Sequence, residues 1–315
     1  MHPWNQPIFD ALERRGERLP HALLLHGVRG IGKLALAERM AQRLLCESAD
    51  RARRPCGACN ACRWLLAGNH PDFRRLEPEA LSKQEAAEEE GVEAPARRAK
   101  KPSTEIKVDQ VRELADFLYV GSHRAGLRVA LVHPAEDMNP NAANALLKGL
   151  EEPPASAMFL LVSHSPARLL PTVRSRCVAV PVPVPPREAA LKWLSGQGVK
   201  DAERWLAYAG GAPLRALEYA ADAETWERLI GSPAPVEDRE DLLRLAEALQ
   251  KIAVDQALLA SGLPAKYRTA QDGKAGSARA WLAYARQMGN DRLLAEHPVN
   301  PKLFSAEMIS SEPKG

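Results

Sequence analysis

Two short apolar runs with a helical stripe between them constrain this chain most. LRVALVH (127–133) and MFLLVSH (158–164) are bounded by glycine, proline and polar residues, and neither shows a polar face. A strand that is apolar on both sides must be covered on both sides, which is the habit of parallel sheets. Between the runs lies NPNAANALLKGLEEPP, where Ala143, Leu146, Leu147 and Leu150 follow an i, i+3, i+4, i+7 stripe. Asn139 or Asn141 can cap this helix, and Pro153-Pro154 stops it. LLLH (23–26) and CVAVPV (177–182) read as further strands, and PDFRRLEP (71–78) as an edge strand. Leu34, Ala37, Ala41, Leu44 and Leu45 have helical spacing, and a second helical pattern runs from Ser103 to Tyr119. Strands alternating with helices predict a parallel α/β sheet.

The rest of the chain has a different texture. PVPVPP (181–186) cannot continue a helix or a central strand and reads as a linker. Beyond it, helical patterns cover 187–195, 201–209, 213–221, about 238–260 and 275–295, with GSPAPVED (231–238) as a second boundary. Residues 79–102 carry EAAEEE and then ARRAKKP with almost no large apolar residue, so a solvated, poorly ordered loop is expected there. A chain of 315 residues has room for two or three domains. No apolar run approaches the roughly 20 residues needed to span a bilayer. The N-terminus lacks a basic start followed by an apolar core, so a cytoplasmic protein is the expectation. The formal net charge is only +3, which leaves nucleic-acid contact to local patches. Aromatic residues make up 5% of the chain, which argues against a base-stacking platform.

Five cysteines are present, and four of them, Cys46, Cys56, Cys59 and Cys62, fall within one short stretch. Two C-x-x-C gaps sharing a cysteine let neighbouring thiolates reach one ion, and Cys46 supplies a fourth ligand. The pattern predicts a closed Cys₄ zinc site of structural type, with a redox C-x-x-C as the alternative. Arg51, Arg53 and Arg54 lie on the loop such a metal would tie down, either against phosphates or simply in solvent.

GVRGIGKL (27–34) follows the first strand and opens a helix. Gly27, Gly30, Gly32 and Lys33 match the phosphate-binding template G-x-x-x-x-G-K-[ST], but Leu34 stands where the magnesium-binding hydroxyl belongs. A leucine cannot ligate a hard cation.

Taken together, the degenerate loop, the four-cysteine insertion behind it, NALLKGLEEPP and Ser175-Arg176-Cys177 resemble the clamp-loader subunits of bacterial DNA polymerase III, specifically the delta-prime branch. The resemblance runs the whole chain. It implies an AAA+-like domain over 1–182, with a zinc module at about 46–62 and the loop at about 79–102. It further implies a small helical lid over 183–231 and an all-α oligomerisation collar over 232–315. Within that family the motor subunit has an Asp-Glu pair where this chain has His133-Pro134, with Glu136 and Asp137 two or three residues further on. Two losses in one site predict no intrinsic hydrolysis. Loop 27–33 is then a packing turn, with Lys33 facing solvent or a neighbouring carboxylate; weak nucleotide binding is the alternative. In this family the arginine of Ser-Arg-Cys reaches a neighbour's ATP, which implies that role for Arg176, beside Ser175, with Arg174 as competitor. The family's sensor arginine falls on Leu214 here, and Arg215 is one residue off, so neither is assigned to sensing.

The implied partners are the tau/gamma ATPase subunits and the delta subunit in a five-membered ring. Through the ring they include the sliding clamp and primer-template DNA, with no membrane. The implied function is a stator within the polymerase III holoenzyme. Two other readings stay open: an active ATPase motor subunit, and a stand-alone zinc-containing DNA-binding protein.

Overall fold

The computed structural model describes residues 1–82, 102–119, 126–269, 273–274, 276–295 and 297–313. Residues 83–101, most of the expected solvated loop, lie outside the described residues. The chain divides into two compact units, Met1–Val184 and Pro185–Gly315, parted within the proline-rich run.

The first unit is built on five strands: β1 Ala22–His26, β2 Phe73–Leu76, β3 Arg128–Val132, β4 Ala157–Ser163 and β5 Val178–Pro181. They pair in parallel in the order β2-β3-β4-β1-β5. Each of the apolar runs becomes a strand for the expected reason. Every residue of β3 and β4 is buried, as are Ala22 to Leu25 of β1, because helices cover both faces. β2 and β5 are the edges, and their charged or exposed residues fit that place.

Helices of this unit are α1 Gln6–Glu13, α2 Lys33–Leu45, α3 Asn60–Leu66, α4 Val108–Tyr119, α5 Pro140–Glu151 and α6 Pro171–Ser175. Asn139 is the residue that caps α5, its side chain accepting from the Ala142 amide. Ser103 to Lys107 is not helical, contrary to the periodicity. Ile106 instead bridges to Met138, accepting from the Asn139 amide and donating to Asp137 O. A backbone partner across the molecule outweighs a helical turn that would start without a strong cap.

Among its described residues the second unit has helices alone as regular elements: α7 Arg187–Gly196, α8 Ala202–Tyr208, α9 Pro213–Ala221, α10 Ala223–Gly231, α11 Arg239–Ala260, α12 Ala278–Leu294 and α13 Pro301–Ser310. α10 and α13 went unpredicted. One continuous cluster of buried residues, including Leu194, Trp205, Tyr219, Trp226, Leu245, Leu249, Trp281 and Met288, fills this unit. It draws on helices from both sides of residues 231–238. The apolar stripe of α11 buries Leu242, Leu245, Leu249 and Ile252. Among the described residues, no helix is long and apolar enough to cross a membrane.

Candidate functional site

In an open parallel sheet, ligands sit beyond the carboxyl ends of the strands, where the strand order reverses. Here β1 lies between β4 and β5, so that place is the loop Gly27–Gly32 leading into α2. Gly30 and Gly32 adopt left-handed φ values of 82° and 80°, which only glycine takes without strain. Ile31 is fully buried.

Lys33 does not face solvent or a carboxylate, as the sequence reading had it. Only 2% of its surface is exposed. Its Nζ donates back to Gly27 O at 2.8 Å and Val28 O at 2.5 Å. The ammonium thus serves the carbonyls of its own loop. Burial lowers its pKa to about 8, with Glu136 opposing the shift and Arg29 adding to it.

The chain's own N-terminus covers the same loop. Trp4 Nε1 donates to Ile31 O at 3.0 Å, and the buried Asn5 side chain donates to Ile31 O and Gly32 O at 3.0 and 3.1 Å. A Cβ on Gly32 would fall 2.4 Å from His2 Cδ2, so the ring of His2, stacked on Trp4, lies directly against the loop. Sequence reasoning missed these three residues. The contacts link positions 26 and 27 apart, and a lone Asn near a terminus carries no local signal.

At the end of β3 stands His133, and at the end of β4 His164, with their Nε2 atoms 3.2 Å apart and the rings edge to face. Burial, then Arg75, Arg29 and Lys33, hold His133 down to about 4. Burial, then Lys33, His133 and Arg29, hold His164 to about 2. Both rings are therefore neutral at pH 7. Pro134 caps a short 3₁₀ turn, Ala135–Asp137, that carries Glu136. Glu136 Oε1 accepts from the His164 and Ser165 amides at 2.8 and 3.1 Å. One oxygen of this carboxylate holds the β4 exit, while its Oε2 is buried without a hydrogen-bond partner among the described residues.

The cysteines form a separate centre. Cys46 follows α2, Cys59 is the N-cap of α3, and the loop between them turns at Gly57 (φ 71°). Their four Sγ atoms lie within 4.8 Å of one another. The Cys46–Cys59 and Cys56–Cys62 separations are 3.9 and 4.0 Å. A tetrahedron with Zn–S near 2.3 Å has edges of about 3.8 Å, so the donor set fits one zinc ion. The amides of Cys56, Cys59 and Cys62 point at the sulfurs of Cys46, Cys56 and Cys59. Amides of Ala58 and Cys59 lower Cys56 to about 6, which favours its thiolate, while burial raises Cys62 to about 12, so that thiol loses its proton only to a bound cation. The four cysteines could hold a metal ion.

Arg176 follows α6. Its Nη1 donates to Thr172 O at 2.9 Å and its Nη2 meets Glu151 Oε1 at 2.5 Å. Its side chain is about one-third exposed. Ser175 Oγ donates to Thr172 O, so Ser175 shares this backbone acceptor.

The model of the family described as "DNA polymerase III, delta subunit" matches residues 8–185. DNA polymerase III subunit delta' of Pseudomonas aeruginosa is 40% identical over 260 residues, covering 81% of this chain and 68% of the relative. The chain belongs to the DNA polymerase III delta-prime family. The Escherichia coli delta' subunit is 34% identical, covering 69% of this chain and 60% of that protein. The E. coli tau subunit is 33% identical over 161 residues, 51% of this chain and 21% of that protein. Among solved structures, a DNA polymerase III gamma subunit-related protein from Thermotoga maritima superposes with a TM-score of 0.50 at 18% identity. That match covers 96% of this chain and 97% of that one, and shows a shared fold.

Arg215, the residue one place off the family's sensor position, lies in the second unit, in a network around Glu247. It donates to both carboxylate oxygens at 3.1 and 3.2 Å. Lys251 lies 2.9 Å from the same carboxylate, Tyr219 donates to it, and Arg292 is 3.6 Å away. Burial alone would raise Glu247, but Lys251, Arg215 and Arg292 bring it to about 2. No sequence signal marked Glu247, since a glutamate in a helix usually faces solvent.

Proposed function

We propose that this chain is a non-hydrolysing stator of the DNA polymerase III clamp loader, lending Arg176 to a neighbouring ATPase subunit. One observation carries the reading: the lysine of the loop is folded onto its own carbonyls and two neutral histidines occupy the strand ends, while the Arg176 guanidinium stays at the surface. With Leu34 in place of the hydroxyl, no acidic residue at 133–134 and Glu136 Oε1 bonded to two amides, the groups that ordinarily hold magnesium against a triphosphate are replaced or engaged. A surface guanidinium, by contrast, suits phosphate oxygens presented from outside.

In this reading the chain joins tau/gamma ATPase subunits and the delta subunit in a five-membered ring that loads the sliding clamp onto primer-template DNA. It works in the cytoplasm at replication forks, as part of the polymerase III holoenzyme. Residues 1–182 are the AAA+-like body, 183–231 the lid and 232–315 the collar through which the ring assembles. Cys46, Cys56, Cys59 and Cys62 hold a structural zinc that ties the loop after α2 to α3; with four thiolate ligands there is no open position for water. Loop 27–33 is a packing turn.

The test is ATP turnover by the purified chain and by the reconstituted assembly. The chain alone should turn over no ATP, and Arg176→Ala should slow the assembly. Magnesium-dependent hydrolysis by the chain alone would favour a motor subunit instead. Unchanged turnover in the Arg176→Ala assembly would remove the arginine finger.

A further inference from the structure

α5 ends in Leu150-Glu151-Glu152-Pro153-Pro154, and the stator reading gives its carboxylates no task. Glu151 is the last residue of that helix and reaches Arg176, which follows α6. The guanidinium is therefore held at two points by two separate elements. Nη1 donates to a backbone acceptor, Thr172 O, with Ser175 Oγ 3.5 Å away, and Nη2 pairs with the Glu151 carboxylate.

Two anchors fix the plane of a rigid fork, where one would leave it free to swing. A guanidinium has five N–H donors. The contacts to Thr172 O, Ser175 Oγ and Glu151 leave two of them unengaged among the described residues. The Arg176 and Glu151 side chains are 34% and 46% exposed, so an outside acceptor can reach the free edge. Without the anchors, an arginine at a surface samples many rotamers, and whatever binds it must first suppress them.

We propose that Glu151 is a positioning residue for Arg176, holding the guanidinium in the orientation that meets the phosphate oxygens of a nucleoside triphosphate bound to an adjoining subunit. This rests on the reading of Arg176 given above. Glu151 touches no nucleotide and acts through the arginine alone. Orientation supplied in advance lowers the barrier without a new contact to the reacting phosphate. The opposite role, a carboxylate that masks the arginine by neutralising it, has the opposite sign in the same experiment.

The experiment uses the reconstituted assembly in which only the adjoining subunit hydrolyses ATP, with kcat and KM measured for wild type, Arg176→Ala, Glu151→Ala, Glu151→Asp and the double alanine variant. Glu151→Ala should lower kcat roughly three- to fivefold, the share of arginine rotamer freedom that one exposed ion pair can suppress. KM, the melting temperature and assembly affinity should stay unchanged, which a merely structural role would move. Glu151→Asp should recover much of the rate, and the double variant should match Arg176→Ala alone. If Glu151→Ala leaves kcat unchanged or raises it while Arg176→Ala lowers it, the inference falls and the arginine finger stands. If the glutamate still matters in the Arg176→Ala background, it acts by another route and the inference falls. If Arg176→Ala itself has no effect, the finger reading fails and takes this inference with it.

Discussion

Replacing Lys33 by methionine separates a packing turn from a phosphate loop. Lys33 titrates near 8, against 10.5 for an ordinary lysine. That difference corresponds to about 3 kcal/mol of penalty on the charged form. The sign is fixed by linkage: the folded chain releases its proton first, so between 8 and 10.5 the unfolded chain binds more protons and stability rises with pH. From pH 7 to pH 10 this one group adds about 2.5 kcal/mol to the stability of the first unit. Methionine fills similar volume but cannot charge, so Lys33→Met removes the rise. At pH 7 it relieves the penalty and loses two bonds to loop carbonyls worth roughly 1 kcal/mol each, leaving stability within about 1 kcal/mol of wild type. The measurement is native-state hydrogen exchange of the α2 amides at both pH values. Lys251, also lowered to about 8, lies in the other unit and cancels in the comparison. Parallel pH curves for the two proteins would refute the buried ammonium. ATP turnover by the assembly should also survive Lys33→Met, and its loss would mean that this loop is a working site.

Three further outcomes are expected. Cys59→Ala removes a ligand and the N-cap of α3 together, so bound zinc by elemental analysis should drop from about one per chain to near none, with a lower melting temperature for the first unit. His133 and His164, lowered from 6.5, contribute stability that is present above pH 6.5 and lost as pH falls toward 4. Replacing both by asparagine should flatten that acid limb, by about 2 kcal/mol or more between pH 6.5 and 4 in urea titrations. Glu247→Gln leaves Arg215, Lys251 and Arg292 around a neutral amide, which should destabilise the helical unit by roughly 3–5 kcal/mol; a loss below 1 kcal/mol would show that the network is not held by that charge.

The parts of this molecule readable from its sequence are those where a local pattern has one physical solution. An apolar run such as MFLLVS is buried on both faces in almost any fold that keeps it, so β4 was legible. The C-x-x-C spacing brings sulfurs together whatever surrounds them, so the Cys₄ cluster was legible too. The direction of Lys33 was not. Its backbone position follows from the glycines, but whether Nζ turns outward or back to Gly27 O depends on what covers the loop. That cover is His2, Trp4 and Asn5, distant in sequence. The end of the helical pattern before α4 failed for a related reason: Ile106 has helical spacing, yet its partner at Met138 is set by the sheet.

Lys33 of the loop, Arg176, and Arg215 one place off the family's sensor position differ in burial, and burial ranks how readily each could turn to a nucleotide. Lys33 is 2% exposed and serves two carbonyls; turning it toward phosphate would strip both acceptors inside a dry loop. Arg215 is 20% exposed, and its partner Glu247 only 11%; withdrawing it would leave a buried carboxylate with less than its compensation. Arg176 and Glu151, at 34% and 46%, form the kind of exposed pair worth about 0–1 kcal/mol, so in the proposed role a triphosphate would engage that guanidinium without unmaking anything buried. The charge left cheap to redirect is the one at the surface, which supports the proposal that Arg176 serves another subunit's nucleotide.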